Sequence, residues 1–110
     1  MRLVILESPY AASDTRTIEE NVAYARACAA DCLRKGEAPM VSHLLYTQPG
    51  ILRDEVPGER TLGIDAGLAW GKVADATVVY TDHGLSSGMR MGIMRARLAE
   101  RPVEYRRLTP

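Results

Sequence analysis

The chain has 110 residues, enough for one domain that buries a modest core of its own. Fourteen basic and fourteen acidic residues cancel. No global field therefore draws it to a membrane surface or to duplex nucleic acid, which ordinarily needs several phosphate contacts. Nothing approaches the ~18 consecutive apolar residues of a membrane span, and the apolar run behind Met1 is too short for a signal peptide, so a cytoplasmic protein is expected.

In chain order, Leu3 to Leu6 is a continuous apolar run, the mark of a strand covered on both faces. It ends at Glu7-Ser8-Pro9-Tyr10, and a polar loop continues to Arg16. Thr17 followed by Glu20 reads as a capping box, so a helix is predicted from there, with Val22, Ala25, Ala29, Cys32 and Leu33 as its apolar stripe and Gly36 as its stop. Cys28 and Cys32 share a face of that helix. An intrahelical bridge at that spacing has poor geometry, and buried reduced thiols are expected, in keeping with a reducing compartment. Ala38 to Val41 is a second short strand, and Ser42 to Gly58 a long connection that holds His43.

Glu59 to Val73 reads as a second long helix with Leu62, Ala66, Ala69, Trp70 and Val73 inward. Thr77 to Tyr80 is the third strand, Gly88 to Ala99 the third long helix, and Val103 to Tyr105 a last strand followed by Arg106-Arg107, read as a solvated edge. Strand and helix alternate throughout, which implies right-handed crossovers and a parallel sheet. The fold class expected is α/β, a flavodoxin-like three-layer sandwich of about four parallel strands ordered two-one-three-four, with residues 1–110 as one domain. Leu68 and Trp70 on adjoining faces of the second long helix predict a homo-oligomer, in which one subunit's loops complete another's pocket.

The junction after the third strand is the most informative segment. An apolar β-branched run ends at Asp82, passes Gly84, Ser86, Ser87 and Gly88, and opens a helix at Met89-Arg90. In a parallel sheet that junction lies at the carboxyl edge, where free amides and the positive end of a helix dipole converge. An acid beside such a helix start suits a sugar or nucleoside ligand.

With these loops in place, the chain resembles the nucleoside 2-deoxyribosyltransferase superfamily, and most of all its small phage and bacterial relatives. The opening strand into Glu7-Ser8-Pro9-Tyr10, the stretch Glu59-Arg60-x-x-Gly63-Ile64-Asp65-Ala66-Gly67-Leu68-Ala69-Trp70 and Ala74-Asp75-x-Thr77-Val78-Val79-Tyr80 carry the likeness. So do Asp82-x-Gly84-x-Ser86-x-Gly88-Met89-x-x-Gly92-Ile93 and Pro102-Val103-Glu104-Tyr105-Arg106, together nearly the whole chain. The resemblance implies a glutamate nucleophile on the helix after the Gly-rich loop, which attacks an anomeric carbon while acidic neighbours position the sugar and protonate the departing base. Here that position falls on Arg90 or Gly92, and neither is a carboxylate.

The expected function is therefore binding of a nucleoside or nucleotide, with cleavage or transfer at its N-glycosidic bond carried by Asp82 and Glu7. The alternatives are a non-catalytic nucleotide sensor or sequestering module, or an oligomeric scaffold. Ser8, Tyr10, His43, Asp65, Gly84, Ser86, Ser87, Gly88, Met89 and Arg90 are the expected ligand contacts. Ser86 to Gly88 and Arg90 would take a phosphate, and Tyr10 and His43 would flank a planar base. Residues 7–10, 42–46 and 82–90 would form the cleft. No metal and no cofactor is expected.

Overall fold

The sheet is built on β1 (Arg2–Glu7), whose neighbours are β2 (Glu37–Met40) on one side and β3 (Ala76–Tyr80) on the other, with β4 (Val103–Arg106) outermost. Every pairing is parallel, and the order β2-β1-β3-β4 agrees with the sequence reading. The computed structural model describes residues 1–110. Helix α1 (Ile18–Arg34) connects β1 to β2, a single-turn α2 (Ser42–Leu45) and α3 (Pro57–Gly71) connect β2 to β3, and α4 (Ser87–Leu98) connects β3 to β4. Since the crossovers are right-handed, α1 lies on one face and α3 and α4 on the other. This is a flavodoxin-like α/β sandwich, and no helix is long and apolar enough to cross a membrane.

Side chains alternate along β1 and sort it between two environments. Val4 and Leu6 join Val78 and Tyr80 under Tyr24, Ala25, Cys28 and Cys32 of α1. Both cysteines are buried and unbridged. On the other face, Val79 packs with Met89 and Ile93 of α4. Thr17 caps α1 as its sequence predicts: its hydroxyl accepts from the Glu20 amide, and the Glu20 carboxylate accepts from the Thr17 amide. The buried stripe of α1 is rotated from the predicted one, with Asn21, Tyr24 and Cys28 inside and Leu33 exposed.

The larger correction concerns α3. Leu62, Trp70 and Val73 are 58%, 49% and 59% exposed, so the face predicted inward points to solvent. What faces inward is a ridge of glycines at four-residue spacing. A Cβ at Gly63 would stand 3.3 Å from Leu52, one at Gly67 3.2 Å from Ser42, and one at Gly71 3.4 Å from the Arg101 guanidinium. The helix therefore closes on α2, which the sequence reading left inside a long connection, and on the Arg101 side chain, whose Nη1 donates to the Gly71 carbonyl at 2.8 Å. With α2 as its main packing partner, α3 stands off the sheet and leaves the α4 side of β1 uncovered.

Arg106 is a second correction. Its guanidinium is half-buried, donating to both Glu37 oxygens at 2.7 Å and to Glu104 at 3.0 Å, where the sequence reading expects a solvated arginine. The fork ties outermost β4 to β2 at the opposite edge.

The glycine ridge has a measurable consequence. Gly67→Val should lower stability by about 1–3 kcal/mol, because the added carbons meet Ser42 in an already tight contact. Gly58→Ala, with nothing within 4 Å of its new Cβ, should be neutral or stabilise by about 0.5–1 kcal/mol through helix propensity. Urea denaturation of the two variants distinguishes a packed ridge from an unconstrained helix.

Candidate functional site

Connections leave the carboxyl ends of β1 and β3 in opposite directions, so a crevice opens between them, the usual ligand position in an open parallel sheet. Here it widens into a groove of about 740 Å³ between α3 and α4. Ile5 and Glu7 lie along its floor, Ile64 and Leu68 on the α3 wall, and Met91 and Gly92 on the α4 wall.

Glu7 is the last residue of β1 and lies on the groove side of the strand. One edge of its carboxyl stays open to the groove, while protein removes water from the rest. No protein donor hydrogen-bonds it, and burial pushes its pKa up to about 7 against the opposing charges of Arg95 and Arg101. The group therefore exchanges a proton near neutral pH, which suits general acid–base work.

Ser8 follows, 5% exposed, with its Oγ 3.0 Å from Nε2 of His43 at the start of α2. Burial pushes the His43 pKa down to about 4, so the imidazole is neutral and one ring nitrogen is an acceptor. The Tyr10 ring meets His43 edge-on at 5.8 Å between centroids. Asn21 of α1 fixes this loop: its Nδ2 donates to the Tyr10 and Ala11 carbonyls at 3.1 and 3.0 Å, and its Oδ1 accepts from Arg16 Nε at 2.8 Å.

Across the crevice, Ser86 is the N-cap of α4, with its hydroxyl accepting from the Met89 amide at 3.2 Å. That use takes one lone pair and leaves the hydroxyl proton able to donate. The amides of Ser87 and Gly88, in the first turn, have no partner within the helix and border the groove. Met89 is 1% exposed and belongs to the core with Val79 and Ile93, so its contribution is to the wall.

Of the residues predicted from sequence, the groove gathers Glu7, Ser8, Tyr10, His43, Ser86, Ser87, Gly88 and the buried Met89. It does not gather Asp82, Gly84, Asp65 or Arg90. The expectation that Asp82 works in the cleft is corrected by its bonding. It accepts from the Tyr24 hydroxyl at 2.6 Å, the Leu108 amide at 2.9 Å, and the Thr109 amide and hydroxyl at 3.1 and 2.9 Å. Burial alone would raise its pKa, but these donors outweigh that and hold it well below the usual carboxylate range. A carboxylate saturated by donors is an anchor for the C-terminal segment. Gly84 forms the turn behind it, with φ +78 and its amide donating to the Thr81 carbonyl. Asp65 and Arg90 project to solvent from the outer sides of α3 and α4. Sequence reasoning missed Arg95 and Arg60 as groove residues. Arg95 was legible in principle, since it follows Gly88 and Gly92 on one side of α4 at helical spacing.

No curated protein and no solved structure matches this chain. Residues 2–106 match the family described as Domain of unknown function (DUF7768), and the chain belongs to that family.

The site's ionisable groups give opposite pH dependences of stability. The folded Glu7 pKa of about 7 lies above its ordinary 4.5, so its contribution is fully present below pH 4.5 and is lost as pH rises through 7. The folded His43 pKa of about 4 lies below its ordinary 6.5, so its contribution is present above pH 6.5 and is lost as pH falls through 4. Glu7→Gln should therefore match wild type near pH 4.5 and exceed it by up to about 3 kcal/mol at pH 8.5. His43→Gln should flatten the acid limb. Urea denaturation across pH 4–9 reads both. In the same measurement at pH 7, Asp82→Ala should cost about 1–3 kcal/mol, because the part-buried Tyr24 hydroxyl and Leu108 amide lose their charged acceptor.

Proposed function

We propose that this protein binds a nucleoside or nucleotide in the groove and cleaves or transfers at its N-glycosidic bond. The observation that carries the reading is Glu7: a carboxyl group at the switch point between β1 and β3, desolvated, without a protein donor, and exchanging its proton near neutral pH. Breaking a glycosidic C–N bond develops positive charge on the sugar and negative charge on the leaving nitrogen. A carboxylate short of solvent is stabilised more by the transition state than by the ground state, which is the requirement for catalysis.

The rest of the groove fits such a ligand. The free amides of Ser87 and Gly88 suit a phosphate or sugar hydroxyls, at about 0.3–1 kcal/mol from the helix dipole. Tyr10 and His43 offer aromatic surface to a base, and Ile64, Leu68 and Met91 line an apolar channel beyond Glu7. Likeness in sequence to the nucleoside 2-deoxyribosyltransferase superfamily supports the same class of ligand. Since Arg90 stands outside the groove, the cation facing an anion there would be Arg95 or Arg60. Two unbridged, buried thiols support a reducing, cytoplasmic setting.

The uncovered outer face of α3, with Leu62 and Trp70 58% and 49% exposed and Val73 just beyond it 59% exposed, supports self-association. Light scattering at tens of micromolar should show a dimer or a larger closed assembly, and a strictly monomeric protein would remove this part of the proposal.

The test of function is incubation with a panel of nucleosides and their 5′-monophosphates, with free base followed by chromatography. Base release is expected, and Glu7→Gln should slow it by roughly 10²-fold or more. Thermal shifts without base release would establish the sensor or sequestering alternative. Neither response to any member of the panel would refute the nucleotide reading altogether.

A further inference from the structure

Glu7 and position 92 address one volume. A Cβ built on Gly92 would collide with the carboxyl carbon and both carboxyl oxygens of Glu7. The carboxyl group therefore lies directly against the backbone of α4, in space that any side chain at position 92 would take. Gly92 belongs to the side of α4 that borders the groove, between Gly88 and Arg95. The crowded glycines of α3 are different in kind, since what approaches them is Leu52, Ser42 or the hydrogen-bonded Arg101. Only at Gly92 does the missing side chain make room for an acid that no protein group has engaged.

We propose that Glu7 supplies the reacting carboxylate of the glycosidic site from the end of β1, and that Gly92 is the gap in α4 that admits it. A glutamate at position 92 would set its Cβ in the space that the Glu7 carboxyl group fills and carry its own carboxylate into the same part of the groove, so strand and helix are alternative origins for one group, each excluding the other. The proposal rests on the reading of the groove as a nucleoside or nucleotide site. In the first step one Glu7 Oε attacks the anomeric carbon as the C–N bond breaks. The bonding pair leaves with the base, which takes a proton from solvent. In the second step water attacks the same carbon, and the bond to Oε breaks with its pair returning to Glu7 as carboxylate. The hydroxyl stays on the sugar and a proton goes back to solvent. Burial that disfavours the Glu7 anion in the empty groove favours its encounter with a cationic sugar carbon.

The experiment moves the carboxylate across the gap. Glu7→Ala, Gly92→Glu and the double variant Glu7→Ala/Gly92→Glu are compared with wild type for base release from nucleoside monophosphates and for Tm. Glu7→Ala should lose roughly 10²-fold or more in rate while keeping its fold. Gly92→Glu alone should lower both Tm and rate, because its Cβ takes the place of the Glu7 carboxyl group and turns that group aside. The double variant should recover most of that Tm and release base at least about tenfold faster than Glu7→Ala. A double variant as unstable as Gly92→Glu, or folded but no faster than Glu7→Ala, overturns the proposal while the nucleotide reading stands, as does wild-type activity in Glu7→Ala. A wild-type protein that releases no base from any of the panel overturns both this proposal and glycosidic cleavage as the function, and if it also shows no thermal shift it overturns the nucleotide reading too.

Discussion

All but one edge of the Glu7 carboxyl group is shielded from water and no donor is given in its place. A charge so situated is unfavourable, and a fold keeps it only if the surroundings leave no cheaper arrangement. The arrangement of this face of the molecule follows from that constraint. Position 92 must be glycine for the carboxyl to lie where it does. Helix α3 must stand away from β1 so that one edge stays open to the groove, and the glycine ridge against α2 and Arg101 fixes that stand-off. The Ser8–His43 contact and the Asn21 bonds to the neighbouring loop then hold the rim in place.

Other charges in the same fold are treated in the opposite way. Asp82 receives donors from Tyr24, Leu108 and Thr109, and Arg106 forks onto Glu37. Arg106 is ion-paired and Asp82 is saturated by neutral donors, which is how a structure keeps partly buried charge without chemistry in mind. Each also joins segments far apart in sequence: α1 to the C-terminal segment in one case, β2 to β4 in the other. The contrast between saturated carboxylates and the unengaged Glu7 separates the structural acids from the candidate reactive one. Fold alone would not make that distinction, since a flavodoxin-like sheet serves many chemistries.

Much of the architecture was legible along the chain. The alternation of short apolar runs with capped helices dictated a parallel sheet, and the Thr17–Glu20 box placed the start of α1, because these signals are local. Glu7, Ser8, Tyr10 and His43 were legible as a group for a topological reason: in a parallel sheet, segments that follow adjacent strands share one edge. The inward face of α3 was not legible in the same way. Apolar periodicity assigns burial to the largest side chains, and here the buried ridge has none, so Leu62, Trp70 and Val73 were read inward while Gly63 and Gly67 made the contact.

Asp82 shows the limit most clearly. Its place between an apolar strand and a glycine turn was visible in the sequence, but its role depended on which donors reached it. Those come from residues 24, 108 and 109, remote in the chain. Local pattern, acting through propensity and the short reach of the backbone, determined the elements, their order and the sheet edge where the loops after β1 and β2 gather. Only tertiary structure decided which acid was saturated and which was left without donors, because desolvation and hydrogen bonding are set by neighbours that folding alone brings together. Gly92 was read as an absence in the sequence, and contact with the Glu7 carboxyl on the groove face of the sheet gave it a physical reason.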